Sequence, residues 1–194
     1  MTSVRSGADR ARLTPRRILD VALRIVETEG VQRLSMRRLA AELDVGVATL
    51  YWHHRTKDEL LAALVDDIVG EVMVAVGEPT GWRAMCETTA RVLRERLRSH
   101  PGADLLIGAR APTGPNARAF LARFLATLER DGFSPRDAAR IAEVVVIWAS
   151  APRAGTSQGL DDRDGSFEFG LEALLAGIAR HRRSSRLTTT SRAT

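Results

Sequence analysis

A single cysteine, Cys86, leaves no second thiol for an intramolecular disulfide, and no motif around it suggests a nucleophile or a metal ligand. It reads as a small core residue in a protein of a reducing compartment. Aromatic residues are scarce, at 5% of the chain. No apolar run reaches the ~18 residues of a membrane span, and the opening "MTSVRSGADRAR" has no apolar stretch of the kind that directs export. A cytoplasmic protein with no membrane partner is therefore expected. The four histidines, His53, His54, His100 and His181, are scattered or adjacent and lack ligand spacing, so no metal and no cofactor is expected. A Ser/His/Asp set and a glycine-rich phosphate loop are also missing, which argues against an enzyme. Strand signals are nearly absent. The one β-branched run, Val144 to Ile147, lies inside a longer helical window, so the chain is expected to be all-α.

The charge that is present is segregated by region. Net charge is +5 over residues 1–57, −5 over 58–172 and +5 over 173–194. A basic N-terminal third suits a surface that meets phosphate backbones, whereas the acidic middle would be repelled by them. Solvated charge on ordinary helix faces explains the total but not the partition. The stretch from 182 to 194, "RRSSRLTTTSRAT", has almost no apolar residues and no periodicity, and is expected to be a disordered basic tail.

Helix punctuation divides the rest. Thr14-Pro15 is an N-cap with proline at the first helical position, and Ile18, Ala22, Ile25 and Val26 form a stripe that ends at Gly30. Ser35 caps a short second helix, closed by "DVG" at 44–46, and Val47 to His53 makes a third. Thr56 followed by Glu59 has capping-box spacing and starts a long helix carrying Leu60, Leu61, Leu64, Val65, Ile68, Val69, Val72 and Val76. Further helices are expected over 80–99, 103–110, 116–130, 135–152 and 166–181. The segment at 141–151, "IAEVVVIWASA", is apolar nearly all round and must be covered on more than one side.

Two short helices joined by a tight glycine-bearing turn, "SMRRLAAELDVGVATLYWHH", fit the helix-turn-helix pattern, whose second helix enters a DNA major groove. Leu39, Ala40, Leu43, Val45 and Leu50 have the spacing of the small core that fixes the angle between the helices. That leaves Val47, Ala48, Thr49, Tyr51, Trp52 and His53 with side chains that mostly cannot be buried there. Small residues let such a turn sit deep in a groove, while Thr, Tyr and His can touch base edges and phosphates. Arg37 is placed to reach a guanine edge, and Arg38 and Lys57 to hold phosphates. For Tyr51 and Trp52 the competing reading is burial in the core. If the turn does not meet DNA, a helical adaptor that binds another protein is the alternative, and a helical enzyme a more remote one.

The span "TPRRILDVALRIVETEGVQRLSMRRLAAELDVGVATLYWHHRTKDELLAALVDDI" resembles the DNA-binding domain of the TetR family of bacterial transcriptional regulators, over about residues 12–70. The glycine at 30, the "LYWH" block and the "K..LL" helix start occur together at family spacing. A second domain at 71–181, carrying "FEFGLEALLAGI", is similar to the tetracycline-repressor subgroup. The resemblance implies a helical second domain that binds a small-molecule inducer and dimerises through its last long helices, and a homodimeric repressor on a palindromic operator. It places Ser35, Arg37, Val47, Ala48, Thr49, Tyr51, Trp52, His53 and Lys57 at DNA-contacting positions.

The chain also departs from that subgroup. Leu106 in "LLIGARAP" stands where a histidine would bind the drug's magnesium, Ala109 replaces a threonine, and Met73 stands at a second drug-contacting histidine. A magnesium–tetracycline chelate is therefore not the expected inducer, and a more apolar one is. Met73, Trp82, Met85, Cys86, Leu93, Leu106, Phe120, Phe124 and Trp148 are the candidate pocket walls, with plain core as the competing reading for each.

Overall fold

The computed structural model describes residues 13–100, 113–151 and 163–191. Eight helices make up the described residues: α1 Pro15–Glu29, α2 Met36–Leu43, α3 Val47–Tyr51, α4 Lys57–Val76, α5 Trp82–Ser99, α6 Pro115–Arg130, α7 Pro135–Ser150 and α8 Arg163–Ser191. The helix expected over 103–110 lies outside them. No described helix is long and apolar enough to cross a membrane.

Local chemistry accounts for the boundaries. Thr14, Ser35, Thr56 and Ser134 each accept a hydrogen bond from the backbone N–H three residues on, so four of the helices start on their own side-chain cap. At the start of α4 the Thr56 hydroxyl accepts from Glu59 N–H at 3.0 Å. The Glu59 carboxylate reaches back to Arg55 N–H at 2.6 Å, one residue earlier than the usual capping box. α6 ends in a Schellman turn: Gly132 takes φ 92, Phe133 N–H bonds Leu128 C=O, and Gly132 N–H bonds Glu129 C=O. Phe133 and Leu128, which bracket that turn, are both buried.

α5 and α6 have no side-chain cap of their own and borrow one across the fold. The Asp131 carboxylate, just past the end of α6, accepts from Trp82 N–H at 2.7 Å. The buried Asp66 of α4 accepts from Asn116 N–H at 3.2 Å and Ala117 N–H at 2.9 Å, and Asn116 Nδ2 donates back to the Asp66 carbonyl at 3.1 Å. Gly114, the N-cap, fits because a Cβ there would fall 2.1 Å from Asp66 Cγ. Neither carboxylate could be singled out from the sequence, because each serves a helix about 50 residues away.

The fold is a small head carried on a larger body. α1 packs on α2 and α4, and α2 on α3, enclosing Ile18, Ile25, Leu34, Leu39, Leu50, Leu60 and Leu64. In the body α4 packs on α5 and α6, α5 on α7 and α8, and α6 on α7, around Met85, Cys86, Leu93, Phe124, Leu128 and Val145. α4 runs through both. Burial pushes the Cys86 thiol up to about 12, so it stays protonated and unreactive at neutral pH.

Two expectations change at helix ends. α3 stops at Tyr51, short of His53, because the N–H groups of His53 and His54 both converge on Leu50 C=O and the chain then turns extended into the Thr56 cap. The expected disordered tail from 182 is helical as far as Ser191. Gly177 is the last glycine and no proline follows, so nothing breaks the helix. His181 Nε2 lies 3.3 Å from Asp137, and the Arg182 guanidinium sits over the Phe133 ring, which anchors the stretch before it.

Asp66→Ala would leave two N–H groups at a buried helix start without an acceptor, which costs about 2–3 kcal/mol. Thermal unfolding at fixed protein concentration should show it as a lowered midpoint, larger than for any exposed α4 carboxylate such as Asp58.

Candidate nucleic-acid interface and ligand cavity

The turn between α2 and α3 is built on a non-glycine residue. Asp44 takes the left-handed conformation (φ 54, ψ 47), Val45 N–H bonds Ala40 C=O at 3.0 Å, and Asp44 N–H bonds Ala41 C=O at 3.3 Å. Aspartate tolerates that conformation better than most residues. Gly46, which the sequence suggested as the helix breaker, has φ −68 and serves as the N-cap of α3. Leu50 is the only buried residue of α3 and pins the five-residue helix to the head; a fully buried leucine is worth about 1.5–3 kcal/mol.

With Leu50 inward, the other faces of α3 point out. Ala48, Thr49, Tyr51, Trp52 and His53 are exposed and Val47 is half-buried against the core. Tyr51 is 48% and Trp52 89% exposed, which removes the core reading for both. Arg37 is exposed on the first turn of α2, and Ser35 Oγ, although exposed, is engaged as the α2 cap.

Two expected phosphate ligands have other partners. Arg38 lies between Glu29 of α1 (2.6 Å) and Glu42 of α2 (2.7 Å), and its hydrogen bond holds the Glu42 carboxyl below the usual carboxylate range. Lys57 Nζ donates to the Val31 carbonyl at 3.2 Å and ties the start of α4 to the α1–α2 connection. Both set the attitude of α2 and α3. His54, beside the exposed His53, is partly buried. Desolvation, and then the charge of His53, lower its pKa, so the ring is neutral at pH 7.

The head is joined to the body by polar side-chain contacts. Arg16 of α1 meets Asp67 of α4 through both carboxylate oxygens at 3.0 and 2.9 Å. His100, at the end of α5, lies 2.6 Å from Glu27 of α1 and 3.8 Å from Glu71 of α4.

The body holds a cavity of about 350 Å³ between α4, α5, α6 and α7. Val69 and Val72 come from α4, Thr89 and Leu93 from α5, Ala117, Phe120, Leu121, Phe124 and Leu125 from α6, and Ala139, Ala142, Glu143 and Val146 from α7. Of the candidate walls, Phe120, Phe124 and Leu93 are there. Trp82, Met85 and Cys86 are core residues away from it, and Met73 packs half-buried against the core. Trp148 faces α8 instead, stacked on Phe167 at 6.5 Å with Gly170 beneath its ring. Leu106 lies outside the described residues. The walls on α7 were not foreseen, because its apolar residues cover so much of the circumference that no one face stands out in the sequence.

An exposed recognition turn on a three-helix head, joined by one helix to a helical body with an apolar cavity, is the architecture of a helix-turn-helix DNA-binding regulator. Comparison with known proteins agrees. Residues 18–64 match the family described as bacterial regulatory proteins, tetR family, and residues 77–162 match the tetracyclin repressor-like C-terminal domain. An HTH-type transcriptional regulator of Saccharopolyspora erythraea is 33% identical over 159 residues, covering 76% of this chain and 67% of that protein. The tetracycline repressor protein class E of Escherichia coli is 29% identical over 87% of this chain and 92% of its own length. The crystal structure of the Streptomyces coelicolor TetR family protein ActR in complex with actinorhodin superposes with a TM-score of 0.72 at 29% identity, covering 89% of this chain and 99% of that one. The chain spans 54 to 67% of the length of the first curated relatives it matches. The protein belongs to the TetR family of bacterial transcriptional regulators.

Because burial depresses the His54 pKa, the folded head binds its proton less readily than the unfolded chain does. The His54 contribution to stability is therefore complete above the unfolded value of about 6.5 and is lost as pH falls below it. The thermal midpoint should drop between pH 7.5 and 5.5, and the drop should be smaller in His54→Gln.

Proposed function

We propose that the protein is a homodimeric repressor that binds a pseudo-palindromic operator through α3 and the first turn of α2, and that a small apolar ligand in the α4–α7 cavity releases it. The observation that carries the DNA reading is the exposure of Ala48, Thr49, Tyr51, Trp52 and His53, on the short α3 and the turn after it, while Leu50 alone holds that helix to the head. Thr49, Tyr51, Trp52 and His53 supply contacts to base edges, methyls and phosphates, and Ala48 and Val47 let the helix approach closely. Arg37 supplies a cation whose side chain is exposed. Ser35, Arg38 and Lys57 act one step back: the first caps α2 and the other two hold it against α1 and α4, while the exposed Ser35 position remains within reach of a phosphate.

A two-fold dimer suits this reading because successive major-groove faces recur every ~34 to 36 Å and need two recognition helices in register. The support for a dimer face is on α7 and α8. Ile147 is 60% and Phe169 79% exposed, and Val144 and Trp148 are also exposed on α7. Those positions explain why the α7 sequence is apolar nearly all round: one side covers the body core and the other awaits a partner subunit.

An inducer unlike a magnesium chelate is supported by the cavity walls. They are nearly all aliphatic or aromatic.

Electrophoretic shifts on chromosomal fragments at 50 and 200 mM salt should show binding that weakens steeply with salt, as phosphate neutralisation requires. Arg37→Ala and Tyr51→Ala should each weaken binding by about 1–3 kcal/mol with the thermal midpoint unchanged. DNA binding indifferent to both would refute the assignment of the interface. Separately, Ile147→Glu should turn the dimer into a monomer in sedimentation velocity and abolish operator binding without unfolding the chain.

A further inference from the structure

The cavity between α4 and α7 has one charged wall group. Glu143 stands on α7 between the apolar wall residues Ala139, Ala142 and Val146, at the exposed rim. Among the described residues no lysine, arginine or histidine lines the cavity. The other polar wall group, the Thr89 hydroxyl, is fully buried and donates to Met85 Sδ at 3.7 Å. An anionic ligand would therefore meet the Glu143 carboxylate, with no cation among the described wall residues to offset it. A neutral ligand would fill the apolar body of the cavity and leave Glu143 unused.

Aromatic geometry favours the same sign of charge. Phe120 and Phe124 stand edge to face, with centroids 6.3 Å apart and planes at 74°. One cation, the Arg123 guanidinium, already lies 5.4 Å from the Phe120 centroid. The negative faces of such rings attract cations and repel carboxylates.

We infer that the cavity takes a lipophilic amine, with its apolar body among Val72, Phe120, Phe124 and Val146 and its ammonium group at the Glu143 carboxylate. The inference rests on the cavity being the regulatory ligand site and adds the sign and position of the charge the ligand carries. A cavity near the small end of the usual range for ligand pockets suits a compact body of one or two rings.

Three probes that share one body separate the possibilities: 4-phenylbutylamine, 4-phenylbutan-1-ol and 4-phenylbutyrate, titrated calorimetrically into the full-length protein at pH 7. The amine should bind about tenfold or more tighter than the alcohol, and the carboxylate should bind weakest. Glu143→Gln, a change on an exposed side chain, should bring the amine down to the affinity of the alcohol and leave the alcohol unchanged. Val146→Trp, which narrows the mouth, should weaken all three. Equal affinities, a preference for the carboxylate, or an amine preference that survives Glu143→Gln overturns the inference while leaving an apolar ligand site standing, provided the alcohol binds and Val146→Trp weakens it. Failure of all three probes to bind at millimolar concentration, or binding indifferent to Val146→Trp, removes the cavity reading as well.

Discussion

The buried carboxylate of Asp66 is the point on which the two halves of the molecule meet. It sits on α4, the one helix shared by head and body, and it satisfies the first N–H groups of α6, a helix with no side-chain cap of its own. One of those N–H groups belongs to Ala117, itself a wall of the cavity. The next residue along α4, Asp67, holds Arg16 of the head. Within a single turn of helix, then, the cavity wall is hydrogen-bonded to the same rod to which the head is ion-paired. An apolar contact between α4 and α6 could slide. A carboxylate shared by two N–H groups, with Gly114 packed too tightly against it for a side chain, fixes both register and distance.

That arrangement gives the proposed release mechanism a physical route. Val69 and Val72 of α4 also line the cavity, so a ligand there acts on α4 directly and, through Ala117 and Asp66, by way of α6. To switch binding, it must favour one disposition of α4 over another by ~1 to 3 kcal/mol. The ion pair at the junction, Arg16 with Asp67, binds the head to the helix that would tilt, so the head follows as a body. Small rotations at the cavity grow with distance along α4. In a dimer they alter the separation of the two α3 helices, the quantity on which matching the DNA depends.

Local features of this fold were legible in the sequence, and pairings between distant segments were not. Thr14, Ser35, Thr56 and Ser134 could be read as caps because a cap and its N–H lie three residues apart, and the stripe from Leu60 to Val76 because burial on a helix repeats every turn. The recognition turn followed from the same logic: once Leu50 was assigned inward, six neighbours were left with little room in the core, and only Val47 of them is half-buried. Asp66 and Asp131 escaped because a carboxylate in a helix or at its end looks solvated until its partner arrives from elsewhere in the chain. The partners of Arg38 and Lys57 were hidden for a related reason. Their positions next to the turn were right, but the partners that hold them, Glu29, Glu42 and the Val31 carbonyl, become neighbours only when α1 folds against α2 and α4. The cavity was only partly visible: Phe120, Phe124 and Leu93 line it, whereas Met85 and Cys86, equally apolar and on the same helix as Leu93, are ordinary core.

The exposed α3 turn bears the whole functional account, and its aromatic residues offer a direct reading of it. Brief hydroxyl-radical oxidation of the protein, alone and saturated with a DNA fragment it binds, reports the accessibility of Tyr51, Trp52 and Trp148 in one experiment. Oxidation of Tyr51 and Trp52 should fall severalfold on DNA binding, with Trp148 in the body unchanged. Bound DNA that leaves Tyr51 and Trp52 as reactive as before would contradict the account and place the nucleic acid on another face.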